Sequence, residues 1–289
     1  MNVPMAAPSS ALSTRRPELR IAGFIGVLTL VVVAYWPSFV SMADMWALSS
    51  YRHGSVIPFV CALLLWQKVP ALARIEWAPS LLGVLLLGVA VWVWLVARAT
   101  LVQAIEHVAV VVMLSAAVWA IAGARVYRTV SFPLAFFAFA LPLGSSVVPL
   151  LMEITADVSA AALNVSGIPV HRQGMLMTLP GGVFEVADVC SGFRYLNTGI
   201  ALGVLVAYLM FLSPARRLAF IAVVTVAFVV TNGVRAYIVM AVASATDMRW
   251  LAGQDHIVFG WVLFLAVMIA LYFLAERYSD RPVGRDRAS

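Results

Sequence analysis

The chain has 289 residues, of which 63% are hydrophobic and only 11% charged, with a mean hydropathy of +0.99. A soluble domain carries about 25% charged and about 45–50% apolar residues, so this composition excludes an ordinary water-soluble enzyme, a disordered chain and a nucleic-acid module. The net charge of +6 does not bring nucleic acid back, because the basic residues fall in short clusters between apolar runs, a pattern that membrane orientation explains.

A bilayer-crossing helix needs about 20 apolar residues, and backbone in lipid must satisfy itself internally. In chain order the runs cover residues 21–40, 56–66, 81–97, 105–122, 130–151, 196–212, 218–243 and 257–275, which predicts eight spans. The first follows Arg15, Arg16 and Arg20. It exceeds a signal-peptide core in length and has no clear small-residue cleavage site, so it reads as an anchor. The second is short, ends at Lys68 and borrows residues from both flanks. The fifth is interrupted by Pro133, Pro142 and Pro149. With the N-terminus inside, 13 of the 19 Lys and Arg residues lie on the inner side, and every inner loop agrees. The expected fold is therefore an all-α polytopic membrane protein, N-in and C-in. It divides into a cytoplasmic tail (1–20), one multispanning membrane domain (21–276) and a second cytoplasmic tail (277–289).

One long segment, about 152–195, lies between spans five and six on the outer side. It opens with a weakly amphipathic stretch that reads as an interfacial helix, a ninth span being the alternative. Gly and Pro then punctuate short alternating pieces from Gly167 onward, which predicts turns or a small hairpin. Long ordered loops are where function usually sits.

Three polar residues belong to the outer half of the membrane. Cys190 lies in Asp188-Val-Cys-Ser-Gly-Phe-Arg194, just before span six. Arg235 lies inside span seven and His256 at the start of span eight. An Arg at a helix centre costs about 2.5–3.5 kcal/mol on insertion, a cost folding alone does not require. Snorkelling to the headgroups, or pairing with an acid such as Asp188, would be the structural alternative. Cys190 has polar neighbours, and Arg194, one turn away, would favour its thiolate. Cys61, among apolar residues, reads as packing. His256 alone could anchor a helix end; beside a thiol it becomes a candidate base. Gly260, four residues on, shares its helix face. No Cys/His cluster suggests zinc, and no cofactor is called for.

These residues carry a resemblance. Tyr51-Arg-His-Gly54, the stretch Val183-Phe-Glu-Val-Ala-Asp-Val-Cys-Ser-Gly-Phe-Arg-Tyr-Leu196, Asn232-Gly-Val-Arg235, and Asp255-His256 with Gly260-Trp261 resemble, in this order, the motifs of the exosortase/archaeosortase family. The resemblance runs from about Tyr51 to Tyr272. It implies a sortase-like cysteine peptidase or transpeptidase acting on exported proteins that end in a Pro-Glu-Pro motif, one transmembrane helix and a basic cluster. By analogy Cys190 is the nucleophile, Arg235 stabilises the oxyanion or places the substrate, and His256 is base and acid. Arg194 and Asn232 fall in the same motifs as substrate-binding candidates. Membrane lipids are the other expected partners, and nucleic acid is not one. Because the chain stops soon after its last span, the expectation is a short form without the C-terminal periplasmic domain of many relatives. Whether water or an amine accepts the acyl group stays open.

A rival reading makes the protein a non-catalytic membrane carrier or assembly factor for exported polysaccharide or lipid. It would need polar residues in several spans, whereas spans one, three and four are nearly uniformly apolar.

Overall fold

Helices dominate the computed structural model, which describes residues 17–246, 249–250 and 255–280. Among them, seven helices are long and apolar enough to cross a membrane, or eight when one sharply bent pair is taken as a single span. The chain is a polytopic all-α membrane protein. It divides into two compact units, Met1–Pro142 and Leu143–Ser289.

The first unit is organised around α5 (Gln103–Ala122), whose Val110, Met113 and Val118 are buried to within 1%. Around it pack α1 (Pro17–Ala34), α2 (Trp36–Met45), α4 (Leu81–Ala99) and α6 (Ala124–Phe136). The helix α3 (Ile57–Leu72) packs against α6 and is preceded by a 3-10 turn over Arg52–Ser55.

The run predicted as span one is not a straight helix. It bends by 77° between α1 and α2. Pro37 explains the break, because its ring excludes the carbonyl four residues back and its nitrogen donates nothing. The bend brings Ser38 and Ser41 onto the start of α5. Ser38 Oγ donates to Glu106 Oε1 at 2.5 Å and accepts from Trp94 Nε1 at 3.0 Å. Ser41 Oγ lies 3.0 Å from His107 Nε2 and accepts from Gln103 Nε2 at 2.6 Å. Arg98 closes the network on Glu106 at 2.9 Å. Glu106 sits in the first turn of α5, where the helix dipole favours a carboxylate.

The predicted fifth span is also divided. α6 has 13 residues, about 20 Å, against the ~30 Å of a hydrocarbon core. It runs into a 3-10 turn (Phe137–Ala140) and ends before Pro142 and Gly144, the latter at φ +93°. A new helix, α7 (Val148–Val165), then continues through the stretch expected to lie at the interface. With its preceding turn it is 21 residues long and apolar enough to cross.

The second unit is built on α9 (Pro214–Ala245), 32 residues and about 48 Å long. It packs against α7, against α8 (Phe193–Met210) and against α10 (Asp255–Arg277). The α8–α9–α10 core holds Phe220, Val224, Phe228, Leu271 and Ala275. The end of α10 is latched to the α8–α9 turn, where Leu212 N donates to Asp280 Oδ2 at 3.0 Å and Arg216 pairs with the same carboxylate.

α7 and α9 run in the same direction, since Thr155 meets Asn232 and Ser166 meets Tyr237. At their shared C-terminal end the expected hairpin is an antiparallel meander of β1 (His171–Gln173), β2 (Leu176–Leu179) and β3 (Gly182–Glu185), in that order. Met177 opposes Phe184, and Arg172 opposes Met177. Met177 and Leu179 are buried with Ala156 and Leu163 of α7 and Met240 of α9. Arg172 ties the sheet to α7 through Glu153, at 2.8 Å, and Asp157. The sheet is thus a platform fixed on two helices, and β3 leads directly into the cysteine loop.

Candidate active site

The loop from β3 ends in a 3-10 turn over Asp188–Cys190, in which Cys190 N donates to Ala187 O at 2.8 Å. Ser191 Oγ then accepts from Phe193 N at 3.2 Å, satisfying a free donor at the start of α8. Between them Gly192 adopts φ +79°, which costs a residue with a Cβ about 1–2 kcal/mol. Space makes the same demand. A Cβ on Gly192 would lie 2.7 Å from Asn232 Oδ1 and 2.8 Å from Asn232 Cβ. The loop can approach α9 this closely only without a side chain there.

Asn232 uses that approach. Its Nδ2 donates to Cys190 O at 2.9 Å and to Thr155 Oγ1 at 2.8 Å. Its Oδ1 accepts from Arg235 Nη1 at 3.1 Å. One buried amide therefore joins the cysteine loop, α7 and the arginine. Cys190 itself is half-buried against the sheet–α7–α9 core. Its thiol is free, as is that of Cys61, which is 5% exposed among apolar neighbours, as packing requires.

Arg235 is 6% exposed and does not snorkel. Among the described residues no carboxylate pairs with it, Asp188 included, and its Nε is buried without a hydrogen-bond partner. The guanidinium lies over the Tyr195 ring, 5.5 Å from the centroid. Arg194 approaches the same ring at 6.0 Å. Such contacts contribute about 0.5–2 kcal/mol each, but neither neutralises the charge.

The third helix closes on this group at Gly260. A Cβ there would stand 3.1 Å from Tyr195 Cζ and 3.4 Å from Arg235 Nε. Trp261 and Phe264 of α10 pack on Tyr195, with ring centroids at 5.8 and 5.7 Å. A small pocket of about 10 Å³, room for roughly one water molecule, remains beside Arg235, lined among others by Tyr195, Thr231, Asn232, Gly260 and Phe264. Position 256 lies one turn before Gly260 in α10, but the His256 side chain lies outside the described residues.

Of the expected site residues, the structure connects Cys190 and Arg235 through Asn232 and places Arg194 beside them across Tyr195. Asn232, expected to contact substrate, has its amide nitrogen and oxygen engaged within the protein. Tyr195 and Thr155 were not singled out from sequence. Tyr195 sits inside the cysteine motif, whereas Thr155 is 77 residues from its partner and carries no motif. The early motif lies in the first unit, where Tyr51 is 7% exposed and His53 half-buried.

The second unit thus holds the backbone of a free cysteine and a buried arginine, without an acidic partner among the described residues, on one asparagine of a polytopic helical membrane protein. The sequence profile of transmembrane exosortases matches residues 45–273, and the chain belongs to that family. No curated protein and no solved structure matches.

Proposed function

We propose that this protein is a sortase-like cysteine peptidase or transpeptidase of the bacterial cytoplasmic membrane. It cleaves exported proteins at a C-terminal sorting signal made of a Pro-Glu-Pro motif, a transmembrane helix and a basic cluster. The observation that most supports this is the double use of Asn232, which hydrogen-bonds both Cys190 O and Arg235 Nη1. Residues of two separate family motifs are held in one network.

In this reading the N- and C-termini are cytoplasmic and the site faces the extracytoplasmic side. Arg216, Arg217 and Arg277, at the end of the second unit opposite Cys190, agree with that orientation. A substrate helix with a basic tail stops in the bilayer with its upstream segment at the level of Cys190. The Cys190 thiolate adds to the scissile carbonyl. The C–N bond then breaks to leave a thioester, and His256 protonates the departing amine. Arg235 stabilises the oxyanion, a contribution of about 3–4 kcal/mol in a dry site. Arg194 contacts the substrate, and Asn232 holds thiol loop and guanidinium in register. Water or an amine then takes the acyl group and restores the thiol.

Co-expression with a tailed substrate, followed by mass spectrometry of its new C-terminus, tests the proposal. Cys190→Ala and Cys190→Ser should insert normally and leave the substrate whole. Normal processing by Cys190→Ala would refute it. The product's terminus, free acid or amide, distinguishes hydrolysis from transfer.

A further inference from the structure

The β-sheet has an open edge that leads to the thiol. Val186 N donates to Met175 O at 3.0 Å, so residue 186 faces β2. Backbone groups alternate sides along a strand, so residues 184 and 182 face β2 as well, opposite Met177 and Leu179. Val183 and Glu185 therefore turn their N–H and C=O groups away from the sheet. Among the described residues these groups bond to nothing. Of the devices that block pairing with another chain, this four-residue edge carries no proline, lysine or bulge, and its one charge is Glu185. The other edge strand, β1, has only three residues, and Arg172 within it bonds back to Gly174 O at 2.8 Å.

Three further observations assign this edge a partner. First, β3 is continuous with the site, its last residue Glu185 lying on the same short stretch of chain as Cys190. Second, its platform is fixed in advance, with Met177 fully buried beneath and Arg172 pinned to α7, so adding a strand orders little. Third, Val183 is 61% exposed and Leu176 46% exposed on the outward face, offering apolar contacts beside the free backbone.

We propose that the open edge of β3 binds the extended peptide segment immediately upstream of the scissile bond, as a fourth strand parallel to β3. This rests on the peptidase reading above. The direction follows from the order of parts. β3 runs into Cys190 and then into the helix α8, and the substrate likewise has an extended segment, a scissile bond and a helix. Parallel addition brings its last extended residue to Cys190 as its helix enters the bilayer. Backbone recognition supplies up to four hydrogen bonds through Val183 and Glu185 and leaves side-chain choice to other contacts.

The test removes outward N–H groups from either partner. Proline is tolerated in an edge strand where its nitrogen faces outward. Val183→Pro and Glu185→Pro should each lower kcat/KM for a tailed substrate about tenfold, the equivalent of one hydrogen bond. The rate of Cys190 alkylation by iodoacetamide should stay within about twofold. Val183→Thr, which keeps the N–H and changes only the side chain, should lose clearly less than Val183→Pro. If a proline variant loses expression or alkylation, synthetic substrates decide, with single backbone N-methyl groups placed successively upstream of the cleavage point. Losses at every second position support strand addition, and uniform tolerance overturns it. Full activity of both proline variants also overturns it. If Cys190→Ala is inactive while both proline variants are fully active, strand addition alone fails. If Cys190→Ala still cleaves, the peptidase reading itself fails.

Discussion

The contact between Gly192 and Asn232 sets the geometry of the site, and Gly192→Ala probes it. Two costs add at this position. The left-handed backbone at φ +79° penalises alanine by about 1–2 kcal/mol. The new methyl would also stand 2.7 Å from Asn232 Oδ1, closer than Cβ atoms approach, so Asn232 must move and loosen its bonds to Cys190 O and Arg235. Overpacking of this kind costs about 1–3 kcal/mol, which brings the total to about 2–5 kcal/mol. Gly167 supplies an internal control. It has φ +75°, but a methyl there would meet nothing within 4 Å, leaving only the backbone cost. Reversible unfolding in mixed micelles should therefore rank Gly192→Ala below Gly167→Ala by about 1–3 kcal/mol. Asn232→Ala removes the obstructing side chain, so the double variant Gly192→Ala/Asn232→Ala should be more stable than the sum of the single effects predicts, by about 1–2 kcal/mol. Equal losses at the two glycines, or strict additivity in the cycle, would refute the idea that this packing determines the loop.

Arg235→Lys keeps the charge but gives up the planar fork that spans Asn232 and the Tyr195 face. Processing should fall by about 30–100-fold with unfolding nearly unchanged, and wild-type turnover would reduce Arg235 to a generic cation. A thiol reagent should label half-buried Cys190 much faster than Cys61, which is 5% exposed. Comparable labelling of the two would contradict the loop's position. In the first unit Glu106→Gln keeps an acceptor for Ser38, whereas Glu106→Leu orphans a buried hydroxyl at a cost of about 1–3 kcal/mol. Unfolding should rank Leu below Gln. The reverse order would mean that the Ser38 bond does not hold α2 in place.

Spans whose ends coincide with composition changes were legible in the sequence. Runs 81–97 and 105–122 became Leu81–Ala99 and Gln103–Ala122, shifted by two residues at most. Where a break lies inside an apolar run, hydropathy does not register it. Pro37 bends the first span after Tyr35, and the Pro142–Gly144 stretch moves the fifth crossing downstream into α7, because a kink changes direction without changing composition. Cys190 and Arg235 stood out as reactive or costly groups. Thr155 did not, because a threonine on an apolar helix gives no sign of its partner until α7 and α9 are packed together. The polar residues at the start of α5, Glu106 and His107, carry no motif in the sequence. Their meaning depends on Ser38 and Ser41, which reach them only after the chain has turned by 77°.

Among the described residues two acid or guanidinium side chains are buried, and they are treated differently. Glu106 is 6% exposed and has Arg98, Ser38 and the N-terminal dipole of α5 around it, so its charge is compensated on all sides. Arg235 is equally buried and, among the described residues, has a single amide oxygen, an aromatic face and an unpartnered Nε–H. A protein that can neutralise one buried charge so fully gains nothing for stability by leaving another bare. In a low-dielectric site a bare cation attracts an anion, or a developing one, more strongly than a paired cation would. The cost of insertion is then offset when negative charge forms beside it. Asn232 supplies the geometric condition, since it fixes the cation relative to the loop that carries the thiol. In the proposed reaction a carbonyl attacked by Cys190 would develop its charge within that same framework, so a cation with no counter-ion among the described residues is what that reaction calls for.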